Sequence, residues 1–70
     1  MRAGMEPKPF DVGDRVYYAG HSGILARKTG TVTKMIWSNA MDRWDVRWRC
    51  DERIVGEREW LSSEQALRRI

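Results

Sequence analysis

Trp44, Val46, Trp48 and Cys50 occupy every second position of the run RWDVRWRC, and Arg43, Asp45, Arg47 and Arg49 fill the positions between them. Only an extended chain turns such an alternation into two clean faces; a helix would scatter the same apolar residues around its axis. The run predicts a half-buried strand with the tryptophans, Val46 and Cys50 inward and the arginines and Asp45 outward. A strand carrying that much apolar area on one face requires partner strands, so the remaining segments are read for them.

DVGDRVYYAG supplies one. Gly13-Asp14 is a turn signal, and a strand is predicted from Arg15 to Ala19, with Val16 and Tyr18 on one face and Arg15 and Tyr17 on the other. GHSGILARKTG, with three glycines, reads as a loop or an irregular hairpin. TGTVTKMIW is rich in β-branched residues and reads as a second strand. Val32 faces the core there, yet Met35 and Trp37 have the opposite parity, so the strand either carries a bulge near Lys34 or bends sharply. SNAMD is the turn before RWDVRWRC, and DERIVG the hairpin loop after it, closed by Gly56. EREWL is a short fourth strand. SSEQ has capping-box spacing, Ser62 bonding forward and Gln65 reaching back, over a segment long enough only for one 3₁₀ turn. LRRI closes the chain as a fifth strand. The expectation is an all-β domain: a small five-stranded SH3-like barrel with one short 3₁₀ turn before the last strand, spanning residues 10–70. Residues 1–9, rich in Gly, Pro and charge and without an apolar signal-peptide core, read as a disordered lead-in in which Met5 is an alternative start.

At 70 residues the chain buries only about 60% of the surface its unfolded form exposes, so stability is marginal without large core side chains or self-association. Four tryptophans serve either route. Cys50 is the lone cysteine, which excludes an internal disulfide and fits a reducing cytoplasm; with His21 it is the only soft ligand, so neither a metal site nor a cofactor is expected. No apolar run approaches membrane-spanning length, and a soluble cytoplasmic protein is expected.

The phrases GDRV, GTV, WDVRW and EWLSSEQALRRI, in that order, resemble the small bacterial SH3-like barrels of KOW and Tudor type, over roughly residues 10–70. Those open with a G-D-x-V strand and close through a helical turn into a final L-x-x-I strand. The chain also resembles plasmid-encoded type II dihydrofolate reductases in length and at its two ends, Gly13-Asp14-Arg15-Val16 and Ala66-Leu67-Arg68-Arg69-Ile70. That family works through a Val-Gln-Ile-Tyr strand lining the pore of a homotetramer. Here the matching residues are Glu59-Trp60-Leu61-Ser62, so glutamine gives way to Trp60 and tyrosine to Ser62. The resemblance implies the fold and hints at self-association, and the missing groups speak against reductase activity.

No catalytic constellation is legible. His21 sits in a glycine-rich loop with no carboxylate placed beside it, Cys50 ends a core face, and the carboxylates are dispersed among arginines. The charge is more informative. The net charge is +3, and Arg15 to Arg49 holds seven basic residues against two acidic ones, whereas Cys50 to Ile70 holds four against five. Arg43, Arg47 and Arg49 share a strand face, which Lys34 and the pair Arg27-Lys28 could extend into a phosphate-binding patch. The competing reading is a solvated face in which Asp45 pairs with its arginine neighbours. Tyr17 and Trp37 are candidate stacking groups. Trp60 cannot share a face with Leu61; if it points outward it is a candidate partner or self-association anchor. Three functions follow, in order: a non-catalytic module binding nucleic acid or a nucleic-acid-associated complex, a protein-interaction or homo-oligomeric module, and a small-molecule or reductase-like multimer.

Overall fold

The computed structural model describes residues 7–70. The lead-in expected over residues 1–9 lies largely outside them; of its described part, the Pro9 carbonyl accepts a hydrogen bond from Arg69 Nη2 at 3.1 Å. The fold is all-β. Five strands, β1 (Arg15–Tyr18), β2 (Thr29–Ser38), β3 (Arg43–Ile54), β4 (Glu57–Ser63) and β5 (Leu67–Arg69), form one antiparallel sheet in the order β4-β3-β2-β1-β5. Short 3₁₀ turns at Gly23–Leu25 and Glu64–Ala66 interrupt the connections. The arrangement is compatible with an SH3-like barrel. Its hydrogen-bonded ladder stays open, with β4 and β5 as the two edges.

The alternation of β3 organises the core. Trp44, Val46, Trp48 and Cys50 are all buried, as is Ile54 at the end of the same strand, and Val16, Tyr18, Val32 and Leu67 join the interior from the other strands. Trp48 is fully buried; it stacks on Tyr18 with ring centroids 6.4 Å apart and donates from Nε1 to Ser62 Oγ at 3.1 Å. Its ring lies over Gly30, where an added Cβ would run into the Arg49 carbonyl and stand 2.7 Å from Trp48 Cε3. Glycine at position 30 is thus what lets β2 and the tryptophan approach each other.

Of the two explanations for the parity change in β2, the bulge is the one found. Val32 pairs with Trp48 but Lys34 pairs with Arg47, so Thr33 is an extra residue, its hydroxyl donating to the Arg47 carbonyl at 3.2 Å. One inserted residue flips every side chain beyond it to the other face. Met35 and Trp37 therefore turn inward, opposite Val46 and Trp44, and Lys34 turns outward.

Three local readings are corrected. The segment GHSGILARKTG is not wholly loop, since it contains the turn Gly23–Leu25, whose Leu25 is buried in the core. DERIVG is not a six-residue loop: β3 runs on through Ile54, which is buried, and the loop is Val55-Gly56 alone. The expected capping box does not form either. Ser62 belongs to β4 and holds the Trp48 indole, Ser63 is the N-cap without a side-chain cap bond, and the Glu64 carboxylate instead accepts from the Trp44 backbone N–H at 2.8 Å.

Val55 has φ 52° and Gly56 φ 81°, the paired left-handed conformation of a two-residue hairpin turn. A β-branched residue is the wrong choice there, costing about 1–2 kcal/mol relative to a residue at ease in that region. Val55 is 78% exposed, so no packing depends on it. Val55→Asn is expected to stabilise the protein by about 1 kcal/mol, read as a rise in thermal midpoint of about 4–8 °C.

Candidate nucleic-acid interface

The outward face of β3 carries the arginines, and register carries that face across the sheet. Three rows run across it: Arg15–Thr31–Arg49–Glu59, Lys34–Arg47–Leu61 and Ile36–Asp45–Ser63. The first row is neutralised. Arg15 makes a two-pronged contact with Asp51, Nη1 to Oδ1 at 2.8 Å and Nη2 to Oδ2 at 2.6 Å, and the Thr29 hydroxyl donates to the same carboxylate at 2.7 Å. The Arg15 and Thr29 donors, aided by the Arg15 charge, hold the Asp51 carboxyl well below the usual carboxylate range. Asp51 in turn raises the Arg15 pKa. Arg49 faces Glu59 at 3.5 Å.

The predicted cations therefore separate into groups. Arg49 is paired with Glu59, Arg43 with Asp45 at 3.4 Å, and Lys28 with Glu52 at 3.2 Å. Asp45 pairs with Arg43 alone of its arginine neighbours; the other two cations take carboxylates that lie elsewhere. Lys34 and Arg47 are exposed, stand directly opposite each other, and make no ion pair among the described residues. Arg27, with φ 62° in the loop before β2, also makes none among the described residues. Lys28 precedes β2 and lies six residues along the chain from Lys34, about 20 Å of extended strand. Arg27-Lys28 therefore lie at a distance from the Lys34–Arg47 pair rather than beside it.

The aromatic candidates part company too. Tyr17 is 39% exposed on the outward face, between Thr29 of β2 and Arg68 of β5. Trp37 is half-buried on the inward side, packed edge-on against Trp44 with centroids 5.3 Å apart, and donates from Nε1 to Asn39 Oδ1 at 2.9 Å. It borders a small hollow that Asp42, Arg43 and Glu64 also line, at the end of the sheet away from Arg49. The condition attached to Trp60 is not met: register sets it opposite Trp48, so it packs half-buried against the core, and Leu61 is the outward residue, at 58% exposure. The parity of β3 decided this through pairing, which no local reading of EREWL contains.

A second feature left almost no trace in the sequence. A cleft of about 690 Å³ opens between the end of β1 and its following loop (Tyr18–Ser22), β4 (Trp60–Ser63) and the second 3₁₀ turn. Arg43, Arg68 and His21 reach its lining. Its parts come from segments about forty residues apart, so no motif announces it. The only sequence signal was the uncharged run Trp60-Leu61-Ser62-Ser63 in an otherwise charged chain end. No family model, curated protein or solved structure matches this chain.

Proposed function

We propose that the chain is a non-catalytic binding module, an SH3-like domain that associates with nucleic acid, or with a complex containing it, through the outward face of β2 and β3. One observation carries the reading. Lys34 and Arg47 are exposed cross-strand partners with no counter-ion among the described residues. Like charges directly opposite each other on a sheet are destabilising, and a bound phosphate would relieve that repulsion. Arg49, one row away, can exchange its exposed carboxylate partner Glu59 for phosphate oxygens at little cost, because such surface pairs are weak, whereas Arg43, farther along β3, is tied to the half-buried Asp45. Tyr17 offers an exposed ring at the margin of the face.

Contacts of this type release counter-ions, so affinity should fall linearly on a log–log plot against salt. With two to four cations engaged, the expected slope is about −2 to −4 on duplex DNA and shallower on single strands. Fluorescence anisotropy of labelled 20-nucleotide duplex and single-stranded probes, from about 50 to 200 mM salt, measures it. Absence of binding to DNA and RNA alike at the lowest salt would overturn the reading.

A further inference from the structure

The cleft beside β4 suits a different ligand from the outward face. It touches Trp60, Leu61, Ser62 and Ser63 in succession. Trp60 faces inward and Leu61 outward, so a cleft contacting both parities must run along the edge of the strand rather than across one of its faces. Among the described residues that edge is unpaired: β4 pairs there only with β3. An edge strand presents a row of N–H and C=O groups, and proteins guard such rows with charge. Here the charges stop short. Glu57, Arg58 and Glu59 guard the first half of β4, whereas Trp60 to Ser63, the half bordering the cleft, carries none.

The opposite wall is built. The Ala19 N–H donates to the Ala66 carbonyl at 2.7 Å, and the Ser22 N–H donates to the Tyr18 hydroxyl at 3.1 Å, tying the loop to the second 3₁₀ turn and to β1. Arg68 is braced by bonds from Nη1 to the carbonyls of Gln65, at 2.8 Å, and Leu67, at 3.0 Å. Among the described residues the lining includes Arg43, Arg68 and His21 and no aspartate or glutamate, and of these Arg43 is paired with Asp45 at 3.4 Å. The adjacent Glu64 carboxylate is held by the Trp44 N–H. The volume, about 690 Å³, is that of a ligand-binding cleft.

We infer that this cleft is a docking site for an extended acidic peptide of a partner protein, which adds as a strand along Trp60–Ser63 and sets its carboxylates against Arg68 and Arg43. Main-chain bonds to the β4 edge give the affinity, and the cationic lining selects the charge. The cleft shares Arg43 with the outward face and Leu61 stands beside Arg47, but its far wall, Ala19–Ser22 and Arg68, is apart from the Lys34–Arg47 pair, so Lys34→Glu should sharply weaken nucleic-acid binding without abolishing peptide binding.

The test uses the full chain and two labelled octapeptides, one alternating Glu and Val, the other Lys and Val. The acidic peptide is expected to bind at least about tenfold more tightly, since at least one charge-assisted hydrogen bond separates the two. In a ¹⁵N-resolved titration it should move the amides of Trp60–Ser63 and Ala19–Ser22 and the Trp60 indole, leaving Lys34 and Arg47 in place. Leu61→Glu, at an exposed position on the cleft rim, should weaken it about tenfold, and Leu61→Lys should strengthen it. Equal affinity for both peptides, shifts confined to the Lys34–Arg47 face, or free glutamate competing as well as the peptide would each overturn the assignment. So would sedimentation showing a dimer that the acidic peptide fails to dissociate, because a second copy would then occupy the edge.

Discussion

Trp48→Ala is expected to remove about half of the protein's stability. Trp48 is wholly buried, stacks on Tyr18, fills the space left by the missing side chain at Gly30, and spends its one polar atom on Ser62. Truncating a buried tryptophan to alanine costs about 3–5 kcal/mol, the sum of lost burial and the cavity left behind. At roughly 0.05–0.15 kcal/mol per residue, a domain of this size has only about 4–10 kcal/mol in total. The substitution also leaves the Ser62 hydroxyl without its donor. Collapse around the gap is restricted, because on one side it is walled by backbone, the Gly30 strand against Arg49. A urea titration followed by far-ultraviolet circular dichroism measures the effect. Retention of a cooperative transition within about 1 kcal/mol of the parent would contradict this account of the core.

The second large effect is on binding, and it has an unusual sign structure. Lys34→Glu places a carboxylate directly across from Arg47. An opposite-charge cross-strand pair contributes roughly 0.2–1 kcal/mol where a like-charge pair costs, so the variant should be slightly more stable than the parent. Its nucleic-acid affinity should nonetheless fall about a hundredfold at low salt, because one cation is removed and the one opposite is neutralised. The salt slope should lose about two. A general loss of structure would lower stability and affinity together. Opposed movements, higher melting temperature with lower affinity, would identify the pair as a ligand site. Unchanged affinity would remove Lys34 and Arg47 from the interface.

These two residues illustrate how local and non-local information divide. The burial of Trp48 was legible from RWDVRWRC alone, since parity within one strand is a property of the backbone and needs no neighbour. The strand starting at Arg15 and the last strand from Leu67 were legible from a few adjacent residues each, whereas the 3₁₀ turn between β4 and β5 is present at Glu64–Ala66 without the capping box from which it was expected. The facing of Lys34 and Arg47 was not legible. It required the extra residue at Thr33, and TGTVTKMIW signalled that something changes parity there without saying whether by bulge or by bend. The loop after β3 was misjudged because Asp51, Glu52 and Arg53 look like turn composition. They are strand residues on an exposed stretch, where Asp51 is held by Arg15 and Thr29 from β1 and β2.

By itself, the sequence determined the fold class, the inward set on β3 and the outward arginines, because alternation, turn residues and chain length act over a few positions. Tertiary structure alone decided which of those arginines keep a carboxylate partner and which face another cation. It also set Trp60 inward and Leu61 outward, and opened a cation-lined cleft beside the uncharged half of β4. Register and ion pairing join residues that are far apart in the chain, and each depends on where the neighbouring strand has already been placed.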